Sequence, residues 1–382
     1  MNRRLFLLNG IAIVAVVCNH ATHLGYVALF ANPNQPNLVG ASWSLLITYY
    51  ALFPVEKLAV FSVPAFLFTA GCFAAFATRS PPRIKAVAQQ PGTPAANPAN
   101  LVWKVARTRI VNLVIPHAIW SIVIFILSAW DGEVLTPLQY AARLIYGGAA
   151  GPFYFVPVMC QLYVLLPVLA RWAKLRPRQA LLVAGLVQLL LLGVYYATIL
   201  FSIQSLRGVM ASDRHWSLML GWVFFFMFGL VYGFHGEGVK RWLVRYRWVW
   251  LGAVLVFGAA AIAEASAFGT AYGVNLRFSP LTLPSNLYAL ACIACFLAFE
   301  RVTIPASQLF YALSSRTFGI YLMHGLVLTY VGRLVAKFAP GLMEVEWLYQ
   351  PLLVAVGLGI PLLIMSIIAR SPARKLHPYL FG

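Results

Sequence analysis

The chain has 382 residues, of which 62% are hydrophobic and only 10% charged, with a mean hydropathy of +0.81. Water-soluble domains carry about 25% charged residues, so this composition excludes an ordinary soluble fold and points to a polytopic membrane protein. The net charge of +19 at pH 7 does not imply a nucleic-acid partner, because Lys and Arg recur in clusters between apolar runs instead of forming one stripe; membrane topology and an anionic lipid surface explain that pattern.

Runs of about 20 apolar residues predict spans at 5–30, 56–77, 110–130, 152–171, 180–201, 216–234, 248–267, 284–299, 317–336 and 350–369. The expected fold class is therefore all-α: a polytopic integral membrane protein of about ten transmembrane helices. Basic clusters at 3–4, 79–109, 171–178, 240–247, 301–316 and 370–375 fall on one side of these spans, which places the N- and C-termini in the cytoplasm. The start resembles a signal peptide, but its apolar run continues to Phe30 without a clean small-x-small site, so no cleavage is expected. Segment 41–53 is apolar and aromatic but short, and Pro54 follows it. It reads as an interfacial or re-entrant helix on the outer side, with a separate crossing as the alternative.

The loop at 78–103 is rich in Pro, Ala and Gln over SPPRIKAVAQQPGTPAANPAN, the composition of a mobile cytoplasmic linker. Outer loops at 131–151, 202–215, 268–283 and 337–349 are too small for a separate domain, so residues 1–382 read as one integral membrane domain. All five cysteines sit in predicted spans, where they act as small hydrophobes. No disulfide framework and no metal site is expected from their spacing with His.

The first span carries Asn9, Asn19, His20 and His23, and unpartnered polar groups in hydrocarbon cost several kcal/mol, about 2–7. His20 and His23 are three residues apart and share a helix face, with Asn9 about three turns below on the same side. An imidazole there is suited to take a proton from a hydroxyl and return it; interhelical hydrogen bonding and a transporter's proton relay are the other readings. Lys104, Arg107 and Arg109 flank the third span, either as topology signals or as a clamp for the phosphates of a nucleotide such as coenzyme A. Glu56, Tyr154, Gln161, Tyr321 and His324 are further polar groups at membrane depth; Glu56 is the carboxylate that could orient an imidazole.

Four stretches, NGIAIVAVVCNHA, VPAFLFTAGCFAAF, ARTRIVNLVIPHAIW with FYFVPVMCQLYVLLPVL, and LSSRTFGIYLMHGLVL, run from residue 9 to residue 328. Together they resemble the acyltransferase-three family of bacterial integral membrane O-acyltransferases. That resemblance implies a multi-pass protein of the bacterial inner (plasma) membrane, a single acyltransferase domain over 1–382, and transfer of an acyl group, commonly acetyl, from cytoplasmic acyl-coenzyme A (acetyl-CoA) to a hydroxyl of an extracytoplasmic glycan or glycolipid.

His20 matches the family's first-helix His, the implied catalytic residue. The family often has Arg eleven residues before that His, where this chain has Asn9. Its pair of basic residues separated by two falls on Arg109 and Asn112, with Arg107 and Lys104 nearby. These five would hold the donor, with His23, Glu56, Tyr154, Gln161, Tyr321 and His324 lining the route. The expected partners are a coenzyme A thioester, an extracytoplasmic carbohydrate and membrane lipid, with no metal and no nucleic acid. An acyl-histidine or a tunnel would each carry the acyl group across. The rival function is a proton-coupled transporter of glycan or small solute, and a third is a sensor or scaffold whose polar residues serve helix contacts alone.

Overall fold

The computed structural model describes residues 3–30, 42–79, 98–201, 203 and 218–382, and every regular element among them is helical. In hydrocarbon a span must satisfy its own backbone N–H and C=O groups, which a helix does internally. The helices are α1 (Arg3–Leu29), α2 (Trp43–Leu58), α3 (Ser62–Arg79), α4 (Pro98–Trp130), α5 (Pro137–Tyr146), α6 (Phe155–Val164), α7 (Leu166–Leu175) and α8 (Pro177–Leu200). They continue with α9 (Val223–Arg245), α10 (Arg247–Tyr272), α11 (Leu283–Ala298), α12 (Ser307–Ser314), α13 (Thr317–Phe338), α14 (Pro340–Met343), α15 (Glu346–Arg370) and α16 (His377–Phe381).

The described part of each predicted apolar run is largely helical, yet among the described residues seven helical stretches are long and apolar enough to cross a bilayer, or eight with the bent pair α6–α7 counted as one. Two of the ten expected spans fall short for visible reasons. Helix α11 has 16 residues, below the roughly 20 a crossing needs. Helix α9 breaks its regular backbone at His235 (φ −124°, ψ 24°), and the part beyond carries Glu237, Lys240, Arg241 and Arg245. The bend between α6 and α7 is 64°, at Leu165. Pro167 follows in the first turn of α7, where its ring and missing N–H prevent a continuous ladder.

Of segment 41–53, expected as an interfacial or re-entrant helix, residue 41 lies outside the described residues and the rest runs through α2. The Ser42 hydroxyl caps α2 by accepting from the Leu45 N–H, and a 3₁₀ turn at Ala59–Phe61 carries the chain into α3. Trp43–Arg79 is thus one stretch of 37 residues, about 55 Å long against a hydrocarbon core of about 30 Å. The stretch is longer than one straight crossing needs, and Trp43 and Tyr50 near its start are exposed. Of the expected mobile loop at 78–103, residues 80–97 lie outside the described residues, while its two ends close α3 and open α4. All but residue 203 of the 202–215 loop also lies outside them.

Helix α1 is central and packs against α3, α12, α13 and α15. The tightest packing joins α3 to α9, where Gly71 faces the Phe226 carbonyl and Gly229 faces the Phe68 carbonyl. Lipid tails supply no hydrophobic drive for helix association, so small residues that let backbones touch hold such pairs together. Thr136 opens α5 through a reciprocal capping box with Gln139, and Gly147 ends it at φ +78° against the Phe153 carbonyl. Only glycine fits there without strain. Near the other end, Trp120 Nε1 donates to the Leu380 carbonyl at 2.9 Å, which ties α16 to α4.

Candidate functional site

Helix α1 delivers its polar residues to two different cavities. The first, of about 510 Å³, is lined by Asn19, His20 and His23 from α1, Ser62 and Phe66 from α3, the 147–152 turn, Tyr154, Phe155, Phe278 and Tyr321. The second, of about 340 Å³, is lined by Asn9, Thr69, Arg109, Asn112, Tyr163, Thr317 and Gly382, again with Phe66, Phe155 and Tyr321. His20 and Asn9 are eleven residues apart, a rise of about 16 Å. The polar stripe therefore runs from one chamber into the other.

Three aromatic rings line both chambers and form the partition between them. The ring centroids of Phe66 and Phe155 are 6.2 Å apart and those of Phe155 and Tyr321 5.8 Å. Tyr321 is buried; its hydroxyl donates to the Pro152 carbonyl at 2.5 Å and its ring stacks on Phe318. Rings at these distances attract beyond simple burial, by roughly 0.5–1.5 kcal/mol a pair, so the partition is a packed feature.

In the first chamber His23 meets the Phe278 ring edge-on at 4.5 Å. His324 stands behind His20, with ring centroids 5.1 Å apart, and is fully buried instead of lining either cavity. Its Nδ1 donates to the Tyr321 carbonyl at 2.7 Å and approaches that of Ile320 at 3.2 Å. Tyr154 lines the chamber and stacks on Trp222 at 5.8 Å. Gln161 lines neither cavity: its Oε1 accepts the Met219 N–H at 3.2 Å and so ties α6 to the start of α9.

Glu56 also stays out of the cavity lining. Its carboxylate lies 3.5 Å from Arg277 Nε, with both side chains buried, while its backbone carbonyl accepts from Asn19 Nδ2 at 2.7 Å. The Arg277 guanidinium sits over the Tyr26 ring at 4.3 Å, and Lys57 Nζ donates to the carbonyls of Leu276 at 2.8 Å and Ser279 at 3.1 Å. This charged cluster fixes the 276–280 turn, and with it Phe278, against α1 and α2. Arg277 and Lys57 are not apparent as site residues in the sequence, although both are basic residues away from the basic clusters between apolar runs, an exception that could have singled them out.

In the second chamber Thr69 donates to Asn9 Oδ1 at 2.5 Å. Arg109 and Asn112, three apart on α4, share the face that lines the cavity. Arg107, two residues before Arg109, points about 200° round the helix; it and Lys104 are exposed and line neither chamber. This chamber thus offers one guanidinium and two amides to an anion, beside the aromatic surface of Phe66, Phe155 and Tyr321. Among the described residues no group of three His, Cys, Asp or Glu is placed to hold a metal ion.

Comparison with known proteins fits this arrangement to a family. A curated protein of Bacillus subtilis (strain 168), named "Putative membrane-bound acyltransferase YfiQ", is 29% identical over 204 residues, covering 52% of this chain and 53% of that protein. The chain thus spans about half the length of the curated relative it matches. No solved structure matches. The description of the acyltransferase-three family, "Acyltransferase domain", matches residues 3–368, nearly the whole of this multi-pass helical protein, and the chain belongs to that family.

Proposed function

We propose that this protein is a membrane O-acyltransferase, one domain over 1–382, that moves an acetyl or similar acyl group from cytoplasmic acyl-coenzyme A to a hydroxyl of an extracytoplasmic glycan or glycolipid. The observation that carries this reading is the pair of chambers meeting at one aromatic partition, His20 on one side and Asn9, Arg109 and Asn112 on the other. Family membership supplies the reaction class. The clustering of Lys and Arg between apolar runs supports an Arg109 chamber that opens toward the cytoplasm of a bacterial inner membrane, where coenzyme A is found.

Arg109 binds phosphate oxygens through its planar fork, Asn112 and Asn9 supply amide contacts, and Lys104 and Arg107 raise the local concentration of the anion from the surface. His20 removes the proton of the acceptor hydroxyl as its oxygen attacks the thioester carbonyl. The C–S bond breaks and the sulfur leaves with the proton that His20 returns, so the products are the ester and the free thiol. The partition lets an acyl group pass while keeping the nucleotide on its own side and water away from the thioester. The proton-relay transporter reading draws less support, because Glu56, the carboxylate expected beside His20, is paired with Arg277.

The test is transfer itself. Labelled acetyl-coenzyme A is supplied to the cytoplasmic face of membrane vesicles holding the wild-type chain or His20→Ala, and label is followed into the glycan and glycolipid fraction. Label that depends on His20 supports the reading. Equal labelling by the two proteins, or none, overturns it.

A further inference from the structure

We infer that His324 is a positioning residue for His20: its Nε2 lone pair accepts the N–H of one His20 ring nitrogen and thereby holds the other nitrogen toward the acceptor hydroxyl. This rests on the acyltransferase reading of the first chamber.

The geometry comes in three parts. Carbonyl oxygens only accept, so the bonds from His324 Nδ1 to the Tyr321 and Ile320 carbonyls place the ring proton on Nδ1 and leave Nε2 with a lone pair. Nε2 is enclosed in protein with no hydrogen-bond partner among the described residues; leaving such a group unsatisfied costs about 1–3 kcal/mol, so the position is an exception that asks for a use. The His20 ring is the imidazole beside it, with centroids 5.1 Å apart, close to the separation of about 5 Å that two imidazoles joined by one N–H···N bond would have. A small rotation about the His20 side chain closes the bond, and no hydrogen bond among the described residues holds that ring elsewhere.

The consequence is a defined route for the proton. His20 donates through one nitrogen to His324 Nε2 and receives the hydroxyl proton on the other. The resulting imidazolium is stabilised by the His324 lone pair until His20 passes the new proton to the leaving thiolate. His324 touches neither substrate, and its contribution reaches the reaction through His20, as an outer partner orients a catalytic imidazole.

Two substitutions separate this role from a structural one. His324→Asn keeps an N–H for the carbonyls of Ile320 and Tyr321 but has nothing at the Nε2 position; His324→Gln places an oxygen acceptor there. In detergent-purified full-length protein, His20-dependent hydrolysis of acetyl-coenzyme A is expected to lose about a hundredfold in kcat with KM unchanged in His324→Asn, and to stay within about tenfold of wild type in His324→Gln. Equal turnover by the two variants, whether high or low, overturns the inference while leaving His20 in place. Absence of His20-dependent hydrolysis in the wild type removes the acyltransferase reading, and the inference with it.

Discussion

Glu56→Gln isolates the buried charge cluster that shapes the histidine chamber. The carboxylate lies 3.5 Å from Arg277 Nε, with side-chain exposures of 0% and 4%. At an effective dielectric constant of 20, the Coulomb attraction at that distance is about 5 kcal/mol, much of it offset by the cost of taking both charges out of water. Removing one partner leaves the other charge buried without its counterion, which costs about 3–5 kcal/mol, whereas replacing both with apolar groups of similar volume is often close to neutral. Glu56→Gln and Arg277→Met are each expected to destabilise by about 3 kcal/mol or more, and the double variant by clearly less than their sum. The assay is thermal unfolding in one detergent, followed by tryptophan fluorescence, for the four proteins of the cycle. The bond from Asn19 Nδ2 runs to the Glu56 backbone carbonyl, so it survives both changes. Additive losses would show that the pair is not coupled and would refute the electrostatic account of this cluster.

Two further predictions address the second chamber and the helix packing. Arg109→Ala, which removes the guanidinium that lines the cavity, is expected to raise the KM for acetyl-coenzyme A by about tenfold or more, in line with about 1.5–3 kcal/mol for a charged hydrogen bond; exposed Arg107→Ala is expected to change it less than about threefold, as steady-state kinetics in detergent will show. Gly229→Val pushes a side chain into the Phe68 carbonyl and is expected to cost at least the 1–3 kcal/mol typical of overpacking, read as a lower melting temperature and a reduced monodisperse yield in size-exclusion chromatography.

Much of the architecture is legible in the sequence because its cause is local. A run of apolar residues long enough for hydrocarbon must form helix, and the described part of each such run largely does. The three-residue spacing of His20 and His23 puts both on one cavity wall, and the eleven-residue spacing back to Asn9 leads into the next chamber. What escapes is set by partners far away in the chain. Arg107 and Arg109 look alike in sequence, and only the neighbours of α4 decide that Arg109 faces a cavity. Glu56 finds Arg277, 221 residues later, so its carboxylate turns from His20 to a cation no local pattern predicts. Phe66 and Phe155 read as ordinary apolar residues, and become a partition only when α3, α6 and α13 meet. Gln161 stands out in an apolar helix, yet its partner is the Met219 backbone of another segment. The span count differs because α11 closes after 16 residues and α9 breaks at His235, and an apolar run by itself fixes neither helix end nor break.

The most direct measurement is binding and hydrolysis of acetyl-coenzyme A by detergent-purified wild-type and His20→Ala protein. The proposed base in one chamber and the proposed anion site in the other predict micromolar binding to both proteins and slow hydrolysis by the wild type alone. Full turnover by His20→Ala would contradict the assignment of the base, and no binding to either protein would contradict the donor chamber.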